Sequence, residues 1–148
     1  MSRPLHLYPQ YLALVAAGGV FGTLARYGLG LVLPAPGHWP LPTLLVNLSG
    51  AFALGWLLEG LARRGPDAGR RRLLRLTAGT GFLGAFTTYS TFSLEAVQLF
   101  DAGRQADGFG YLAASLLGGT VATFLGILAA GRRTERAPQA ADTKDGAR

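Results

Sequence analysis

Cysteine is absent from the 148 residues, which excludes a disulfide scaffold, thiol nucleophiles and cysteine-held zinc or iron–sulfur sites. Histidine is almost as scarce, with His6 near the N-terminus and His38 in a proline-rich loop. A histidine-based metal site or catalytic triad is therefore not expected. Charge is thin too: only 15% of residues are charged, against roughly 25% in soluble proteins. Lysine occurs once, at Lys144. No catalytic constellation can be assembled, and a soluble enzyme is disfavoured.

What is present is apolar and glycine-rich, with 22 glycines. Residues 11–33 contain a single charge, Arg26, and residues 41–58 contain none. Residues 76–94 and 108–131 are again uncharged. Each run approaches the ~20 residues that a helix needs to cross ~30 Å of hydrocarbon. The expectation is an all-α membrane protein with four transmembrane helices, spanning about 11–33, 41–61, 75–99 and 108–131. Residues 1–131 would form one channel-sized domain, and the polar stretch 132–148 a disordered tail.

The connections suit that reading. Pro34, Pro36, Gly37, Pro40 and Pro42 interrupt the chain between the first two spans, and Gly65, Pro66 and Gly69 between the next two. A net charge of +6 could suggest nucleic acid, but the basic residues flank apolar spans rather than cover a face. They read as topology signals. With four crossings, one side would hold Arg3, Arg63, Arg64, Arg70, Arg71, Arg72, Arg75, Arg132, Arg133, Arg136, Lys144 and Arg148, and the other only Arg104. That bias places both termini in the cytoplasm.

Polar groups inside the spans then decide the function. Thr43 and Asn47 share a face of the second helix. A primary amide left unpaired in hydrocarbon costs several kcal/mol, so Asn47 must face a partner helix or a pathway. The third span holds Gly79, Gly81 and Gly84, then Thr87, Thr88, Ser90, Thr91 and Ser93. Two readings fit: a break near Gly84 to Thr87 that releases carbonyls toward a small cation, or a close-packed helix of the small-xxx-small type, as at Gly18 and Gly22. Tyr89 and Phe92 are i, i+3 on one face, and the positive edges of such rings can contact an anion without holding it tightly; their plainer role is to face lipid. In the fourth span Tyr111, Ser115, Gly119 and Thr123 form an i, i+4 stripe with Thr120 beside it. Hydroxyl and amide donors from three helices could replace the water shell of a small anion. No acidic residue lies inside a span core, Glu59 and Glu95 being near ends. Arg26 either snorkels or pairs with carbonyls, or attracts anions at a pathway mouth.

Three stretches resemble one family, the small dual-topology fluoride channels of the CrcB/Fluc type. They are Gly18-Gly19-Val20-Phe21-Gly22-Thr23-Leu24-Ala25-Arg26-Tyr27, Thr43-Leu44-Leu45-Val46-Asn47-Leu48-Ser49-Gly50-Ala51-Phe52, and Gly81-Phe82-Leu83-Gly84-Ala85-Phe86-Thr87-Thr88-Tyr89-Ser90-Thr91-Phe92-Ser93. The resemblance runs from about residue 15 to 128. It implies an antiparallel dimer with two fluoride pores, the third helix broken near its centre. Asn47 would donate to fluoride with Thr43 nearby, and Tyr89 and Phe92 fall where the family has a pair of phenylalanines. Ser90 and Thr91 would belong to the adjoining polar track, which Tyr111 and Ser115 continue. The Gly84 and Thr87 carbonyls of both subunits would hold one structural sodium ion, and Arg26 matches the family's first-helix arginine.

Three departures stand out. Tyr89 replaces the first phenylalanine of the pair. Gly119 stands where many relatives carry a second serine, for which Thr123 would substitute. The charge bias suits one orientation, so a heterodimer with a related chain competes with the homodimer. The function implied is passive export of fluoride across the plasma membrane of a prokaryote by a multi-pass channel, with no nucleic-acid partner. The rivals are a proton-coupled exporter of small substrates, disfavoured by the missing intramembrane carboxylate, and a non-conducting scaffold, which leaves Asn47 unexplained.

Overall fold

The computed structural model describes residues 8–135, all of whose regular structure is helical. Helix α1 runs Pro9–Val32, with proline in its first turn, where a missing N–H costs nothing. It stops before Pro34, and a 3-10 turn at Pro36–His38 leads to α2, Leu41–Ala62. Next come three abutting pieces, Arg70–Leu74, Arg75–Leu83 and Gly84–Phe86, which together make α3. Thr87 and Thr88 are extended, with ψ of 156° and 123°. After them α4 covers Tyr89–Asp101 and α5 covers Gln105–Glu135. Residues 132–135, expected in the polar tail, thus continue α5, and the rest of that tail lies outside the described residues, as do Arg3 and His6.

Three helices are long and apolar enough to cross a membrane: α1, α2 and residues Gln105–Arg132 of α5. At 1.5 Å per residue even the 22-residue α2 measures about 33 Å. The chain is a multi-pass membrane protein. The helices pair as α2 along α5 and α1 along α3. In the second pair, α3 is π-helical over Arg75–Leu83, a widened geometry in which each N–H reaches five residues back. There the Thr77 and Phe82 carbonyls lie so close to Gly18 and Gly22 that a Cβ on either glycine would collide with them. Glycine at both positions is what lets α1 and α3 touch backbone to backbone.

Two buried clusters fill the interior. Tyr111 is completely enclosed by Leu44, Phe92, Ala96 and Leu99, with Trp39 edge-on to its ring at 5.7 Å. Val46, Leu83 and Phe86 form the second cluster, on the α1 side of α2. Outside, α1 exposes Val20, Phe21, Leu24 and Leu31, and α5 exposes Leu116, Leu117, Val121 and Phe124. Surfaces this apolar need lipid or another protein against them. The loop after α2 is tied by Asp67, which accepts from Arg75 Nη2 at 2.8 Å and from Arg75 Nε at 3.1 Å. That pairing holds the Asp67 carboxyl below its ordinary range.

Candidate ion-binding site

The interruption at Thr87–Thr88 organises the polar residues. A continuing helix would direct the Thr88 N–H to the Gly84 carbonyl; instead it donates to Asn47 Oδ1 at 2.8 Å. Asn47 Nδ2 donates back to the Thr88 carbonyl at 3.0 Å. The amide thus clips onto the exposed peptide as a neighbouring strand would. The Thr91 N–H, due to the Thr87 carbonyl, goes to Thr88 Oγ1 at 3.2 Å and caps α4. Gly84 and Thr87 are therefore the residues whose carbonyls lose these helical donors. Gly84 itself is helical (φ −63°, ψ −33°), so the backbone departs from helix three residues later, at Thr87. Gly50 leaves room for this turn, since a Cβ there would strike the Thr87 methyl.

A primary amide has two N–H groups, and Thr88 takes one. Asn47 also lines a cavity of about 300 Å³ with Thr87, Tyr89, Phe92, Ser115 and Gly119. Asn47, Phe92 and Ser115, from three helices, thus border one space. Ser115 Oγ is buried and has no partner. Phe92 is buried, whereas Tyr89 is 81% exposed although its ring centroid is only 6.0 Å from that of Phe92. The i, i+3 pair thus spans the boundary of the chain: one ring faces inward and the other outward.

Nearer the α1–α2 loop lies a carboxylate that sequence reasoning set aside as terminal. Glu95 accepts from Thr43 Oγ1 at 2.8 Å and from Tyr111 OH at 2.7 Å. Thr43, expected beside Asn47 on the pathway, thus gives its hydroxyl proton to Glu95. Its position i+3 from Phe92 was the available signal, because it continues the same helical face. The Tyr111 ring also packs on Phe92, centroids 5.3 Å apart, so the cluster joins the cavity behind it.

The remaining expected residues separate. Arg26 lines a smaller cavity of about 160 Å³ with Gly30, Thr43, Thr88 and Thr91, and its buried Nε has no partner. Arg26 is half-buried there. Ser90 and Thr91 hydroxyls lie 3.3 and 3.0 Å from Thr88 Oγ1. Thr120 and Thr123 donate to the Leu116 and Gly119 carbonyls of their own helix, the common fate of a hydroxyl in an apolar helix. No group of three or more histidine, cysteine or acidic ligands occurs among the described residues.

Comparison with known proteins adds the identity of the relatives. Residues 13–127 match the family profile described as CrcB-like protein, Camphor Resistance (CrcB). A protein of Leifsonia xyli subsp. xyli, named "Fluoride-specific ion channel FluC 2", is 47% identical over 126 residues, 85% of this chain and 87% of its own. A namesake from Geobacillus kaustophilus is 44% identical over 122 residues, 81% and 92% of the two chains. "Fluoride-specific ion channel FluC" of Stutzerimonas stutzeri is 43% identical over 115 residues, 76% and 90% of the two chains.

Proposed function

Because the chain belongs to the CrcB family, we propose that it is a fluoride-selective ion channel, not an enzyme, through which cytoplasmic fluoride leaves a bacterial cell across its plasma membrane. The observation that carries this reading is the close match to relatives named fluoride-specific ion channels. The geometry supports a route. Fluoride is small and strongly hydrated, so a pore must replace its water with several weak donors rather than one tight site. Asn47, with an N–H to spare, Ser115, Phe92 and Tyr89 line one cavity, while Arg26 supplies positive charge in the cavity beside Thr43 and Thr88. Fluoride that enters as neutral HF dissociates inside, and a passive channel returns it down its gradient.

In this reading α3 and α4 together make a fourth crossing, broken at Thr87–Thr88, and two antiparallel copies associate. The outward-facing Tyr89 and the apolar faces of α1 and α5 are the surfaces a second copy would cover. A sodium ion fits the carbonyls of Gly84 and Thr87, neutral oxygen donors suited to a hard cation and relieved of their helical N–H partners. Its role would be structural, to hold the interrupted helices together. The arginine bias toward one side supports a second arrangement, in which this chain inserts one way and pairs with a related chain of opposite bias.

Fluoride efflux from liposomes carrying the purified protein, with and without a proton gradient, tests the reading. Efflux indifferent to the gradient is expected. Efflux that requires it would indicate a proton-coupled exporter, and none at all a scaffold or a missing partner chain.

A further inference from the structure

Residues 63–75, where α2 gives way to α3, carry six arginines and a single acid, Asp67, and the fold divides the arginines into two sets. Arg71, Arg72 and Arg75 are half-buried and turn back onto the loop. Arg71 donates to the Pro66 carbonyl at 3.0 Å and also to the Arg64 carbonyl. Arg72 donates to the Asp67 carbonyl at 2.7 Å, and Arg75 pairs with the Asp67 carboxylate. Of the outward set, Arg63 is paired with Glu59 one turn back. Its guanidinium lies against Gly131, which puts the loop beside the far end of the α5 span. Arg64 and Arg70 are exposed, and their guanidinium groups have no partner among the described residues.

We propose that Arg64 and Arg70 hold the phosphate of an anionic phospholipid whose acyl chains lie along Leu73 and Leu74. The inward set ties the loop down, and the Arg71 bond fixes the Arg64 backbone to the residue beside Arg70. Guanidinium groups offer paired N–H donors that match phosphate oxygens. Arginines next to a membrane-spanning helix attract anionic headgroups, and this pair has no carboxylate of its own to satisfy it. Leu73 and Leu74 follow Arg70 by three and four residues in the same helix, so they share its face. They are 40% and 49% exposed. A free anion would use the guanidinium groups alone, whereas a phospholipid uses both the charge and the leucines. The proposal needs only that α2 and α5 cross the membrane, and it is independent of the channel reading.

The test is native mass spectrometry of the full-length protein in a non-ionic detergent at low salt, titrated with phosphatidylglycerol or with phosphatidylcholine of the same acyl chains. Phosphatidylglycerol should be retained in clear preference. Arg64→Gln and Arg70→Gln should each weaken its retention about fivefold, and the double variant about thirtyfold. Both side chains are exposed and unpaired, so the helical circular-dichroism signal should stay unchanged, and either single variant serves if the double folds poorly. Arg104→Gln, at the opposite end of α5, should leave retention as it was. Leu73→Ser with Leu74→Ser should also weaken it, and inorganic phosphate should fail to displace the lipid. Equal retention of the two lipids overturns the proposal and leaves the arginines to a partner outside the bilayer. An equal loss from Arg104→Gln overturns it as a general charge effect. Displacement by inorganic phosphate, with the serine variant unaffected, overturns it in favour of a free-phosphate site.

Discussion

Replacing Asn47 with aspartate changes almost nothing in shape and nearly everything in charge. The remaining oxygen can still accept the Thr88 N–H that lies 2.8 Å from Oδ1. The other oxygen replaces a donor 3.0 Å from the Thr88 carbonyl, so two acceptors now face each other. The second N–H, the one available to an ion in the adjoining cavity, is lost as well. A fluoride ion about 4 Å from the new carboxylate would be repelled by about 4 kcal/mol at an effective dielectric constant near 20. Since each ~1.4 kcal/mol is tenfold in occupancy, the ion should visit the site roughly a thousandfold less often. Fluoride efflux from liposomes, followed with a fluoride electrode at neutral pH, should fall to background, while the helical circular-dichroism signal and elution volume stay unchanged. At acidic pH the neutral acid regains one donor and sheds the charge, so part of the efflux should return. Wild-type efflux from a well-folded Asn47→Asp protein at neutral pH would refute the assignment of Asn47 to the pathway.

Three further outcomes follow from the geometry. Tyr111→Phe leaves Glu95 Oε2 without its 2.7 Å donor in a buried cluster, which should cost about 1–3 kcal/mol; a lower midpoint in thermal unfolding in detergent, together with slower efflux, is the check. Gly22→Ala drives a methyl into the Phe82 carbonyl and should destabilise by about 1–3 kcal/mol, whereas Gly28→Ala, with nothing nearby, should leave the melting midpoint unchanged or raise it. Asp67 has a depressed carboxyl, so its contribution is complete above the unfolded value and disappears as pH falls through the folded one. Because the pair is partly exposed, Asp67→Asn should cost at most about 1 kcal/mol near neutrality, and the difference from wild type should vanish in acid.

Much of this architecture was legible because lipid imposes a simple rule: long charge-free runs become helices, and prolines and glycines mark their ends. The runs 11–33 and 41–61 differ from α1 and α2 by at most two residues at any end. The interruption was harder to read. The expected range, Gly84 to Thr87, contains it only at its far end: Gly84 stays helical, and the chain turns where Thr88 can cap α4 and Asn47 can bind the freed peptide. That second contact joins residues 41 apart in sequence, and no local pattern contains it. The π-helical stretch was equally hidden, since the contacts it makes, Thr77 and Phe82 carbonyls against the glycines of α1, join residues about 60 apart in sequence. Glu95 was passed over because distance from a span end was used to judge depth. Its bonds to Thr43 and Tyr111 show that a residue near a helix end still reaches the interior when a neighbouring loop folds over it.

Interrupting a helix releases donors and acceptors together, and the two are handled differently at Thr87–Thr88. The Thr88 and Thr91 N–H groups both find oxygen partners inside the chain, Asn47 Oδ1 and Thr88 Oγ1. The Thr88 carbonyl finds Asn47 Nδ2. Gly84 and Thr87 lose their helical donors through these same bonds, and an acceptor without a partner in hydrocarbon costs several kcal/mol. The nearby hydroxyls are engaged with one another or with Leu83, and Asn47 already gives one of its two N–H groups to Thr88. A cation satisfies several carbonyls at once without using a hydrogen-bond donor, which leaves the second Asn47 N–H for the anion. The proposed sodium ion and the proposed fluoride site would thus share one amide: the clip that draws the Thr88 N–H away from the Gly84 carbonyl leaves Asn47 one N–H still to give.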